Sequence, residues 1–202
     1  MQSSSSSSPS TPRLYFAYGS NLSLSQMSLR CPTATYHSLA VLRGWKWIIG
    51  TRGYANIVYT SIRRDDERGK DGGKEMKGGG EEGGDRVYGI LYVLQEEDES
   101  ALDIAEGVPS AYEKVDLGVE MLSEEEEGKD AKGGGEVKVL VYVDLKRAGE
   151  GVCRDEYVAR MNRGIRDAIK KGLPQSYVDG VLRKWVRDEE IPGDGEIKDP
   201  FL

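Results

Sequence analysis

The sequence predicts an α+β protein: a small closed or strongly curled mixed β-barrel with flanking helices. Two observations carry this. Strand patterns come first and the two longest helical patterns come last, an order that segregates sheet from helix. Two strand segments, "VYGILYVL" and "VKVLVYVD", are almost wholly apolar. Both of their faces must then be covered, as in a closed barrel rather than an open sheet wet on one side.

The elements follow in order. Strand 14–18 alternates Leu14, Phe16 and Tyr18 with Tyr15 and Ala17. Segment 38–49 reads as the second strand, with Leu39, Val41, Trp45 and Trp47 as its inward positions. Segments 56–61, 86–94, 114–121 and 137–143 are rich in β-branched and aromatic residues, and glycine-containing connections separate them. A helical pattern over 96–106 stops at Gly107. A second, over 154–171, aligns Val158, Met161, Ile165 and Ala168 before Gly172. Pro174 opens the last helix, with Val178, Val181, Leu182 and Trp185 on one side.

The chain has 202 residues, enough for one domain with its own core. We expect a disordered Ser-rich tail at 1–12 and a single domain over 13–202. Segments 63–85 and 123–136 are charge plus glycine. They lack the apolar surface that offsets ordering entropy, so they read as mobile loops between strands.

Composition removes several function classes. The formal net charge is −7, with acidic residues spread along the chain. That argues against nucleic acid, which needs a basic patch. No run approaches the ~18 apolar residues of a membrane span. The first residues lack the apolar core of a secretory signal, so a cytoplasmic location is expected. Cys31 and Cys153 read as reduced, partly buried thiols. The single histidine, His37, excludes a multi-histidine zinc site and would have to serve in any Ser-His-Asp triad. It reads as a surface or strand-edge residue, which leaves proton chemistry to a carboxylate, a Tyr or a Lys.

Three features could carry chemistry. At Tyr18-Gly19-Ser20-Asn21 a strand runs into small residues whose successive backbone N–H groups can cradle an anion. A short helix starting just beyond would add its dipole. The same residues also make ordinary turns. Glu106 lies four residues after Leu102 and one after Ala105, on or beside the inward face of its helix. A carboxylate there is costly unless used or paired, and burial would raise its pKa toward a value suited to proton transfer. Alternatively it leans into water at the helix end, as Glu96, Glu97 and Glu99 are expected to do. Finally, Tyr112, Tyr142 and Tyr157 could line a pocket for a small polar substrate, although a tyrosine taken singly is more often just core.

Together, "FAYGSNL", "LDIAEGVPSAY" after the "VYGILYVL" strand, and "YVARMNRGIRDAIKKGLPQSYVDGVLRKW" resemble the γ-glutamylcyclotransferases, over about residues 14–185. The resemblance implies cyclisation of a γ-glutamyl amino acid to 5-oxoproline and a free amino acid, chemistry of glutathione metabolism, with no metal or cofactor. It assigns the essential carboxylate to Glu106, the substrate loop to Tyr18, Gly19, Ser20, Asn21 and Leu22, and pocket tyrosines to Tyr112, Tyr142 and Tyr157. The partner would be a small-molecule γ-glutamyl substrate, with no nucleic acid and no membrane; a homodimer is compatible with the sequence. A γ-glutamylamine cyclotransferase, a glutathione-type cyclotransferase and a non-catalytic metabolite-binding protein are the alternatives.

Overall fold

The structure, a computed structural model, describes residues 11–60, 85–122, 135–189 and 200. The Ser-rich tail through residue 10 and the segments 61–84 and 123–134, which hold most of both expected loops, lie outside the described residues. Among the described residues there are seven strands: β1 (Arg13–Ala17), β2 (Thr35–Arg43), β3 (Trp45–Ile49), β4 (Ala55–Tyr59), β5 (Arg86–Leu94), β6 (Glu113–Met121) and β7 (Glu136–Val143). The α-helices of the same residues are α1 (Leu24–Arg30), α2 (Glu96–Ala105), α3 (Asp155–Lys170) and α4 (Gln175–Gly180).

Five strands close a barrel in the order β1-β5-β2-β6-β7. Every neighbouring pair is antiparallel except the closing pair, β1 with β7, which is parallel at Tyr15 and Leu140. The barrel is therefore mixed, and its apolar strands are covered on both faces. Phe16, Ile90, Leu91 and Leu140 are fully buried.

The expected strand 38–49 is two strands. The chain breaks at Gly44, which adopts φ +77°, a conformation that strongly favours glycine. β2 stays in the barrel, while β3 leaves it to pair with β4 in a separate hairpin. Of the expected inward residues, Leu39, Val41 and Trp47 are buried and Trp45 is half-buried. Apolar alternation did not reveal the break because both strands are apolar on each side of it. The last helix is also shorter than expected. α4 ends at Gly180, and Leu182–Lys184 forms a separate 3₁₀ turn that buries Leu182.

α3 buries its predicted stripe completely: Val158, Met161, Ile165 and Ala168 are inaccessible to solvent. It packs on the 3₁₀ turn Ser20–Leu22 that follows β1. Contact is close enough that a Cβ on Gly164 would lie 3.0 Å from the Leu22 Cβ and 3.1 Å from the Ser23 nitrogen. No helix among the described residues is long and apolar enough to cross a membrane.

Opposing effects meet at Gly164. Alanine raises helix propensity by up to about 1 kcal/mol, whereas overpacking against a fixed backbone costs about 1–3 kcal/mol. We expect Gly164→Ala to destabilise the protein by about 1–2 kcal/mol. At Gly180, where a Cβ would meet nothing within 4 Å, Ala should be neutral or stabilising by a few tenths of a kcal/mol. Urea unfolding of the two variants checks the contrast, and a stabilised Gly164→Ala protein would contradict it.

Candidate active site

β1 ends at Ala17, and Tyr18 leads into the 3₁₀ turn Ser20–Leu22. On the opposite side α2 stops at Ala105, with Glu106 as its C-terminal cap residue. One cavity of about 120 Å³ lies between them. Tyr18, Gly19, Ser20, Asn21, Glu106, Tyr112, Tyr142 and Tyr157 all line it. Leu22 does not: its side chain is fully buried in the core against α3.

Asn21 ties the two sides together. Its Nδ2 donates to Glu106 Oε1 (3.1 Å) and to the Tyr15 hydroxyl (2.9 Å). Its Oδ1 accepts from Gln26 Nε2 (2.8 Å) and Arg30 Nη1 (3.3 Å). Donors and acceptors on all sides fix which end of the amide points where. Arg30 Nη1 also lies 3.4 Å from Glu106 Oε1. The Arg30 side chain is 3% exposed and that of Glu106 16%, so the acid is set inward but remains within reach of the cavity.

The Gly19–Leu22 bend differs from the expected row of free amides. The Ser20 N–H donates to the Tyr157 hydroxyl (3.1 Å), and the Leu22 N–H to the Gly19 carbonyl (2.9 Å). The helix that follows does exist as α1, but its first amide, at Leu24, donates to Asp167 Oδ2 on α3 (3.1 Å). Its dipole serves α3 rather than the cavity. Gly19 is required by proximity, since a Cβ there would lie 2.8 Å from the Tyr157 hydroxyl. Glu99, expected to be exposed, is half-buried and pairs with Arg13 and Lys114. Asp98 is buried as part of the capping box of α2.

Three arginines in the lining, Arg30, Arg52 and Arg160, were not singled out by the sequence. Tyr15, Tyr54 and Ile104 also join it. Arg160, on α3, packs its guanidinium 4.9 Å from the Tyr157 ring centre and lies 3.4 Å from Ser20 Oγ. Helical spacing marks the apolar positions of α3 and carries no signal for Arg160, a charged residue buried on the same helix. Arg52 sits in the β3–β4 turn, where no periodicity could have marked it.

The phenols are held by specific partners. Tyr18 donates to the Tyr142 carbonyl (2.6 Å), Tyr112 to the Ala55 carbonyl (2.8 Å) and Tyr142 to Asp103 Oδ1 (2.7 Å). Burial raises the pKa of Tyr15, Tyr18, Tyr112, Tyr142 and Tyr157, and the negative charge of Glu106 adds to the rise in each. All five stay neutral at physiological pH and act as hydrogen-bond donors or acceptors, not as phenolates. Both cysteines are free thiols. Burial pushes Cys31 up to about 12 and Cys153 up to about 11, so neither is an activated nucleophile. His37 is exposed, at the irregular pairing of β2 with β5.

The AIG2-like family profile matches residues 86–181. Curated γ-glutamylcyclotransferases from Bos taurus and Homo sapiens are 26% and 25% identical over 191 and 195 residues. Each alignment spans 81% of this chain, and 91% and 90% of the relative. A solved structure named γ-glutamyl cyclotransferase superposes with a TM-score of 0.62 at 22% identity, over 95% of this chain and 96% of that one. That likeness establishes a shared fold, a mixed barrel with flanking helices. Taken together, the comparisons support the γ-glutamylcyclotransferase family and cyclotransferase function in general.

The buried phenols set an alkaline limit on stability. Their folded pKa values lie above the usual 10.0, so above about pH 10 the unfolded chain binds fewer protons than the folded one. Stability from these groups is complete below that pH and is lost as pH rises past it. The urea midpoint should hold steady to about pH 9 and then fall. Phenolate absorbance at these sites should appear only with unfolding. Ionisation of all tyrosines at their ordinary pKa in a protein with intact circular dichroism would contradict this.

Proposed function

We propose that this chain, supported as a member of the γ-glutamylcyclotransferase family, is an enzyme that converts a γ-L-glutamyl amino acid into 5-oxoproline and the free amino acid. The observation that carries this reading is the meeting of Glu106 with the Tyr18–Asn21 bend in one cavity, joined by the Asn21 amide.

The substrate's α-amine is an ammonium at neutral pH and must lose a proton before it can attack. Glu106 takes that proton. The freed amine then adds to the substrate's own γ-carbonyl carbon, forming the ring C–N bond. As the tetrahedral centre collapses, the original C–N amide bond breaks. The ring nitrogen has by then given up a second proton, and the departing nitrogen has gained two and leaves as an ammonium. No water is consumed. One carboxylate can relay these protons, first as base and then as acid.

Attack within one molecule makes conformation a large part of the barrier, and proximity effects reach about 7–11 kcal/mol. The cavity contributes by holding the glutamyl chain folded back on itself. Asn21 and Arg30 hold the Glu106 carboxyl group in place. The neutral phenols and the arginines offer donors for the substrate α-carboxylate and for the oxyanion that develops on the γ-carbonyl. An oxyanion donor is typically worth about 3–4 kcal/mol.

Release of 5-oxoproline from γ-glutamyl-alanine, γ-glutamyl-ε-lysine and glutathione, assayed on the purified protein, tests the reading. γ-Glutamyl-alanine should be the best of the three. Glu106→Gln should remain folded and bind substrate, with kcat lower by about 10²–10⁴-fold. Glu97→Gln, an exposed acid on the same helix, should change kcat by less than about twofold. Near-normal turnover by Glu106→Gln would remove that residue from the role.

A further inference from the structure

We infer that Arg52 is a specificity-determining residue: it recognises a carboxylate on the α-carbon of the amino acid that leaves. The inference rests on the cyclotransferase reading and deepens it, by saying which part of the leaving group is recognised and by what.

Burial separates the three arginines of the cavity. The side chains of Arg30 and Arg160 are 3% and 4% exposed, whereas Arg52 is 27% exposed. Arg30 stands beside Glu106, where bonds are made and broken, and Arg160 stands beside Ser20. Arg52 therefore lies toward the mouth. The glutamyl half of the substrate reacts beside Glu106, and the half that departs must extend toward the opening.

Arg52 is also held ready. Its Nε donates to Asp144 Oδ2 (3.0 Å), its Nη2 to the Ala111 carbonyl (3.1 Å), and its guanidinium lies 4.4 Å from the centre of the Tyr112 ring. Nη1 has no hydrogen-bond partner among the described residues. A guanidinium fixed on one edge and open on the other binds a carboxylate at small entropic cost, and its planar fork suits two-point contact. In an α-amino acid leaving group the carboxylate is one carbon from the scissile nitrogen. Glutathione carries an amide at that position, and γ-glutamyl-ε-lysine carries its carboxylate at the far end of a butyl chain.

Arg52 could instead serve only to clamp the loop after Glu106, since Arg147 also donates to the Ala111 carbonyl and pairs with Asp144. Arg147 does not line the cavity, and this separates the two roles. The experiment compares γ-glutamyl-alanine with γ-glutamyl-alaninamide, which share a leaving nitrogen and differ in the carboxylate. Wild type should favour the acid by about tenfold in kcat/KM, expressed mainly in KM. Arg52→Met should abolish the preference, lowering kcat/KM for the acid about tenfold while changing the amide by less than about threefold. Arg52→Lys should restore part of it, and Arg147→Met should leave the acid-to-amide ratio unchanged.

Equal losses on both substrates in Arg52→Met, or a wild type indifferent to the carboxylate, would overturn the inference. Absence of 5-oxoproline from every compound would instead sink the activity reading. Calorimetry with the same two compounds then decides the inference: tighter binding of the acid, lost in Arg52→Met, upholds it, and equal affinities refute it.

Discussion

The buried amide of Asn21 is the constraint on which the rest of the site depends. A primary amide shut away from water must find partners at both ends or cost several kcal/mol. Here the oxygen is met by Gln26 and Arg30, and the nitrogen by Tyr15 and Glu106. Its backbone carbonyl is taken by the Tyr92 hydroxyl (3.1 Å) on β5. Two barrel strands, the short helix α1 and the end of α2 are thereby fastened to one residue of a three-residue turn. Loss of any one partner leaves the others with unmatched dipoles, so the acid cannot shift without disturbing the turn.

The electrostatics of the cavity run against those of the chain. The protein carries a net charge of −7, yet the lining has three guanidinium groups and one carboxylate. The phenols add no charge, because burial and the neighbouring Glu106 keep them protonated. Such a concavity concentrates anions at low-dielectric walls while the outer surface repels them weakly. Each arginine is itself anchored by a carboxylate: Glu106 for Arg30, Asp144 for Arg52 and Glu156 for Arg160. Anchoring fixes geometry before a ligand arrives, which is what a reaction limited by conformation needs.

Much of this was legible in the residue pattern, for reasons that also explain what was not. The α3 stripe was readable because Val158, Met161, Ile165 and Ala168 repeat at helical spacing. Strands β5 and β7 were readable as covered on both faces because apolar runs have no other stable place. The break at Gly44 was hidden, since a φ of +77° at one glycine interrupts no apolar pattern. Glu106 could be singled out by its position after Leu102 and Ala105. Arg30, Arg52 and Arg160 could not, because whether a long cationic side chain folds inward depends on partners far away in sequence. Asp144 is 92 positions from Arg52. The same holds for the amides of the bend, whose occupation by Tyr157 links residues 137 positions apart.

The placement of Glu106 beside the bend follows from strand register and element length together. β1 and β5 are antiparallel, with Arg13 opposite Leu94 and Ala17 opposite Ile90. α2, leaving β5, therefore starts next to the beginning of β1, where Glu99 reaches Arg13. From there β1 advances to Tyr18 over about 17 Å at strand rise. α2 covers about 15 Å from Glu96 to Glu106 at helix rise. Two elements that set out from the same end and travel nearly the same distance finish side by side, and the cavity is the gap between their ends. Length also sets direction: one residue more or fewer in α2 would turn its last side chain by about 100° around the helix axis. Asn21 would then lose the carboxylate that accepts from its Nδ2. The barrel register and the ten residues of α2 thus form a single device for aiming one carboxylate.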